Sequence, residues 1–146
     1  MNQYFFKEKN PFEKRVRVLN EQTMIKLKPP NCYRVLVTRD NTSFKALSNP
    51  FKLNYEYIKN NKKLAIGLFH YWFTYMLEMP TQNTIKETFQ KLLNKLINEN
   101  QDIELVCNCK PDVCHADIIR ECLINKAKKH HALMQDDTSE PMEIEY

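Results

Sequence analysis

Two short runs rich in β-branched and aromatic residues, Tyr33-Arg34-Val35-Leu36-Val37-Thr38 and Ile103-Glu104-Leu105-Val106-Cys107, flank a long stretch of helical periodicity. Each reads as a buried strand, the first bounded by Pro29-Pro30 before it and by polar turn residues after it. Between them Ala65, Ile66, Phe69, Trp72, Phe73 and Met76 recur at three- and four-residue steps from Lys62, on one face of a helix that Pro80 stops. A second helix opens on the capping pair Thr84 and Glu87 and buries Ile85, Phe89, Leu92, Leu93 and Leu96. A third, capped by Asp112 or a neighbour, has Ile118, Ile119, Cys122 and Leu123 on its inner face. Strands joined through helices run parallel. The order strand, helices, strand, helix therefore predicts one α/β domain, a small Rossmann-like parallel-type sheet with flanking helices.

The flanking segments divide the chain further. Residues 1–32 hold two short apolar runs, Val16-Arg17-Val18-Leu19 and Met24-Ile25-Lys26-Leu27, and read as an N-terminal extension with a strand or hairpin. Residues 33–131 form the α/β domain, with a loop over 39–54. Residues 132–146 are acidic and poor in apolar side chains, the composition of a disordered tail.

Charge and glycine content narrow the function. The chain carries a net +4, but residues 136–146 hold five acids and no bases, leaving +9 on the remainder (22 basic against 13 acidic residues). A basic body draws nucleic acid or a phosphorylated small molecule; the plain alternative is a solvated lysine-rich surface. With Gly67 the only glycine, a glycine-rich phosphate loop is excluded. No apolar run is long enough for a membrane helix, and the N-terminus lacks the apolar core of a secretion signal, so a cytoplasmic protein with no membrane partner is expected. Five cysteines, an odd number, then point to reduced thiols or metal ligands rather than a disulfide scaffold.

Four of those cysteines fall between Cys107 and Cys122, where the second strand gives way to the third helix. In an extended strand Cys107 and Cys109 share a face. Cys114 and His115 would stand on the first turn of the helix, where backbone N–H groups and the dipole favour a partly exposed thiolate. Asp117 could orient His115, giving a catalytic set in which Cys114 or Cys109 is a nucleophile or substrate contact and His115 an acid or base. Two other readings stand beside it. Cys107, Cys109, Cys114 and His115 could close a tetrahedral zinc site, although a one-residue gap and an adjacent Cys-His pair depart from the usual ligand spacing. Alternatively the cysteines act as small apolar residues filling the junction, as expected of Cys122 in any case. Cys32 and His70 read as packing or surface residues, and His130-His131 as a solvated basic end.

In Ser48-Asn49-Pro50-Phe51, an asparagine held extended by the following proline could aim its amide outward at a base or sugar while Phe51 offers a ring. A turn anchored by a buried phenylalanine is the alternative. Leu47-Ser48-Asn49-Pro50-Phe51 and Cys107-Asn108-Cys109-Lys110-Pro111-Asp112-Val113-Cys114-His115-Ala116-Asp117 resemble the paired motifs of domain of unknown function 4326, a family common in phages and bacteria. Its motifs usually read Trp-Gly-Asn-Pro-Phe and Cys-x-Cys-x-Pro-x-x-Cys-His-Gly-Asp, with an aromatic and a tryptophan between them, as Phe69 and Trp72 are here. The resemblance covers residues 33–125. It implies ligand contacts at Asn49, Pro50 and Phe51, and a second site segment at Cys107, Cys109, Pro111, Cys114, His115 and Asp117. Leu47, Ser48 and Ala116 replace the family's tryptophan and two glycines.

Three functions are open at this stage. One is an enzyme or binding protein for a nucleotide, nucleoside or phosphorylated metabolite, bound by Ser48, Asn49, Pro50 and Phe51. The second is a basic nucleic-acid-associated module with a structural cysteine cluster. The third is a non-catalytic viral interaction protein that uses the acidic tail.

Overall fold

The computed structural model describes residues 10–37, 47–51, 56, 58–107 and 114–136. Three strands, β1 (Val16–Asn20), β2 (Cys32–Leu36) and β3 (Asp102–Cys107), form a parallel sheet in the order β1-β3-β2. Among the described residues three helices accompany them, α1 (Lys62–Glu78), α2 (Thr84–Ile97) and α3 (His115–Asp136). The registers Val16↔Ile103 and Tyr33↔Ile103 align the strands so that Val16, Val18, Ile103, Leu105, Cys107, Tyr33, Val35 and Val37 share one face. The helices lie on that face. Their inner residues Phe69, Phe73, Phe89, Leu93, Leu96, Ile119 and Leu123 join it in a single core.

The opposite face is polar. Arg17, Glu104 and Arg34 are in register across β1, β3 and β2, and Glu104 accepts from Arg34 Nε at 2.9 Å and from Arg17 Nη2 at 3.3 Å. Asp102 is paired with Arg15 at 3.0 Å and Arg17 at 3.1 Å. Since β1 and β2 flank β3, residues 21–31 must cross the sheet, and they do so over this polar face. Arg34 Nη1 donates to the Lys26 carbonyl at 3.0 Å, and Asn31 turns the chain at φ 55°. This crossover carries no helix because Pro29, Pro30 and a run of exposed residues supply neither the hydrogen bonds nor the apolar stripe of one.

The two strand expectations, α1 and the buried stripe of α2 are observed. The run at Val16 is an edge strand of the same sheet, paired parallel to β3. Arg120 of α3 holds its entry by donating to the carbonyls of Val16 at 2.7 Å and Glu13 at 2.6 Å, and Asn10 reaches the Ile124 carbonyl at 2.9 Å. Three readings are corrected. The cap of α2 is Asn83, not Thr84: its side chain accepts from Lys86 N at 2.9 Å while its amide donates to the Met76 carbonyl, so one residue serves two helix ends. His130 is buried at 8%, because Ile119, Leu123, Ala127 and His130 continue one stripe at helical spacing. Burial, with the positive charges of Lys126 and Lys129, lowers its pKa below the ordinary imidazole value. Finally, α3 continues through Asp136, beyond the expected start of the tail, over the good helix formers Ala132, Leu133, Met134 and Gln135. Residues 137–146, and with them most of that tail, lie outside the described residues, as does most of the loop expected over 39–54.

Candidate functional site at the carboxyl edge of the sheet

β2 and β3 end side by side, and α3 starts against them. Cys114 precedes α3 and acts as its cap: its carbonyl accepts from Asp117 N at 3.0 Å, and its own N–H donates to Asp117 Oδ2 at 3.0 Å. Asp117 thus reaches back to an N-terminal backbone donor, the electrostatically favourable place for a carboxylate on a helix. The contact fastens the first turn.

His115 is turned into the protein. It is 8% exposed, and its Nε2 lies 2.8 Å from the Val37 carbonyl, one residue beyond β2. A carbonyl only accepts, so Nε2 carries the proton and donates. The ring also stands edge-on to Phe69, with centroids 5.2 Å apart. On the other side of the helix start, Cys114 Sγ lies 3.2 Å from Cys107 Sγ, the last residue of β3, and both residues are 1% exposed. The partly exposed thiol expected at Cys114 is therefore buried in the core.

The Asn49 segment reaches the same place through aromatic contacts. Asn49, 7% exposed, accepts from Phe51 N at 2.8 Å and donates from Nδ2 to the Ala65 carbonyl on α1 at 3.4 Å, so its amide faces inward rather than outward. Phe51, half-buried, meets Trp72 edge-on at 6.2 Å; Trp72 meets Phe69 at 5.8 Å; Phe69 meets His115. The two motif segments are thus joined by a continuous series of rings. Ser48 and Phe51 are half-buried and Pro50 is exposed, so these three residues present the segment to solvent while Leu47 and Asn49 are buried. Cys109 and Pro111 lie outside the described residues.

Of the remaining cysteines, Cys122 packs on the inner side of α3, and burial with Glu121 nearby pushes its thiol up to about 11. Cys32 is buried on the polar face beside Arg17 and Glu104, its thiol raised by burial first and by the Glu104 hydrogen bond second. For the zinc reading, Cys107 and Cys114 are adjacent, but His115 Nε2 is directed at Val37, and no three His, Cys, Asp or Glu side chains converge as a metal group among the described residues.

The profile of one family matches residues 16–125, three quarters of the chain, from the first residue of β1 to the middle of α3. The chain belongs to the family described as domain of unknown function (DUF4326). The family match takes in β1, which the motif resemblance alone did not reach. Comparison with curated proteins and with solved structures returns no match.

What the sequence missed in this DUF4326 protein is the partners. The acceptors of His115 and Asn49 are the backbone carbonyls of Val37 and Ala65, groups that every residue carries and that leave no mark in a sequence. The spacing of Phe69 on the inner face of α1 was the available signal for a ring against His115.

Proposed function

We propose that the protein binds a nucleotide, nucleoside or other phosphorylated small molecule at the carboxyl edge of its sheet, where α3 begins. The observation that carries this reading is the fixed position of Cys114 and His115, tied at once to the end of β3 and to the residue after β2. Ligands of open parallel sheets bind outside the carboxyl ends of the strands, and a helix N-terminus there favours an anionic group. The +9 charge of residues 1–135 adds a general attraction for phosphate. Pro50 and Phe51 supply the apolar surface for a base or sugar. His115, Asp117 and Asn49 act by holding that edge in shape. Cys114 is 1% exposed, so a nucleotide-sized ligand at this edge reaches its sulfur only if the start of α3 opens, and the folded state favours binding of that ligand over covalent chemistry on it.

Thermal unfolding against nucleoside mono-, di- and triphosphates, free nucleosides and inorganic phosphate tests this. A phosphorylated member present at 100 times its Kd is expected to stabilise the fold by about 2.7 kcal/mol. No stabilisation by any member at millimolar concentration overturns the reading.

A second reading is favoured by one observation on α3. Lys126, Lys128 and Lys129 fall within four positions on α3, and the charge of Lys129 adds to burial in holding Lys126 below the ordinary lysine value against the opposing effect of Glu78. If nucleic acid rather than a small molecule is the partner, affinity for an oligonucleotide falls steeply with salt and is lost on replacing Lys126, Lys128 and Lys129 by alanine.

A further inference from the structure

Cys107 and Cys114 are seven positions apart in sequence, yet their sulfurs lie 3.2 Å from one another inside the core. A disulfide requires about 2.05 Å, so an approach of about 1 Å would join them. The two residues sit at the ends of the elements that frame the site: Cys107 closes β3, and Cys114 caps α3. Neither Cys32 on the polar face nor Cys122 further along α3 has a sulfur partner of this kind among the described contacts.

We propose that Cys107 and Cys114 form a dithiol that hydrogen peroxide oxidises to an intramolecular disulfide, locking the start of α3 to the end of β3. Cys114 is the first sulfur to react, because the start of α3 stabilises negative charge on it. Its thiolate attacks one peroxide oxygen; the O–O bond breaks, and the departing hydroxide takes up a proton to become water. The resulting sulfenic acid is attacked at sulfur by Cys107, the S–S bond forming as the S–O bond breaks, and the released hydroxide leaves as a second water. Two sulfurs are oxidised, two peroxide oxygens are reduced, and both thiol protons end in water. Burial selects the oxidant. Peroxide is small enough to reach a core thiol pair, whereas a bulky disulfide reagent needs the start of α3 to open first.

The test uses the whole chain as wild type and as Cys109→Ser, exposed to hydrogen peroxide, alkylated, and cleaved on the amino side of aspartate. Residues 102–111 and 112–116 are then separate peptides, the first holding Cys107 and Cys109 and the second Cys114. The expected result is that the two peptides are joined in both proteins, that Cys107 and Cys114 escape alkylation, and that a reductant releases them. Separate peptides with both thiols alkylated overturn the proposal, as does a Cys109–Cys114 bond that disappears in Cys109→Ser. Stoichiometric zinc in the native mass spectrum, with both thiols unreactive until it is chelated, also overturns it. The readout is a covalent bond and is independent of the ligand proposed above.

Discussion

His115 Nε2 and the Val37 carbonyl are 2.8 Å apart across 78 residues of sequence, and this bond pins the first turn of α3 to the end of β2. Its removal has two costs. His115→Ala leaves a buried carbonyl without its donor and a gap beside Phe69, for a loss of about 3 kcal/mol. His115→Gln keeps an N–H donor of similar reach and should lose about 1 kcal/mol. Urea unfolding compares the two. Equal midpoints for wild type and His115→Ala would show that the bond is not made.

The contrast between Phe69 and His115 shows how far the sequence could be read. Phe69 was legible as core because helical spacing and an apolar side chain are properties of the sequence itself. The parallel sheet was legible for a similar reason, since two β-branched runs separated by helices have few ways to pair. His115 stood out in the sequence as a candidate site residue but not as a buried donor, because its partner is a backbone carbonyl brought in by tertiary packing. Asn49 misled in the same way: Asn-Pro fixes the backbone as extended, yet the direction of the amide depends on α1 passing beneath it. Cap positions slip by one residue when two neighbours both carry a side-chain oxygen able to accept from a helix N–H, as Asn83 and Thr84 do.

Trp72, the only tryptophan, reports on Asn49 through Phe51. Asn49→Ala removes the acceptor of Phe51 N and the donor to Ala65, and is expected to cost about 1–2 kcal/mol. It should also release Phe51 from the Trp72 edge and shift the emission of Trp72 to longer wavelength. Asn49→Asp retains the acceptor and should preserve most of the spectrum. An unaltered Trp72 spectrum in Asn49→Ala would refute the role of Asn49 as the anchor of this segment.

Cys122 gives an alkaline signature. Burial, reinforced by Glu121, pushes its thiol up to about 11 from an ordinary 9.0. A raised value means that the unfolded chain gives up this proton first, so the contribution to stability is complete below about 9 and is lost as pH rises from there towards 11. Cys122→Ala should therefore flatten the fall in stability over that interval relative to wild type. Parallel curves for the two proteins between those limits would contradict the assignment.

Glu104 gives the acid counterpart, on the polar face of the sheet. Burial pushes its carboxyl up, but hydrogen bonds from Arg34, Cys32 and Arg17 and the charge of Arg34 outweigh that and leave it below the ordinary carboxylate value of 4.5. Asp102 is lowered in the same way, burial opposing the stronger combined effect of Arg15 and Arg17. A depressed value places this stabilisation above the unfolded pKa, and it is lost as pH falls below about 4.5 and through the folded value. Glu104→Gln keeps the shape and removes the charge between Arg17 and Arg34. With Glu104 5% exposed and Arg34 11%, but Arg17 34%, the loss at neutral pH is expected to be about 2 kcal/mol rather than the larger cost of breaking a fully buried pair. The decisive measurement is the slope of stability against pH from 6 down to 3. Wild type should fall more steeply than Glu104→Gln, so that the two curves converge at the acid end. A constant gap between them would mean that the row Arg17, Glu104, Arg34 stabilises the sheet through shape and packing, without a net contribution from charge.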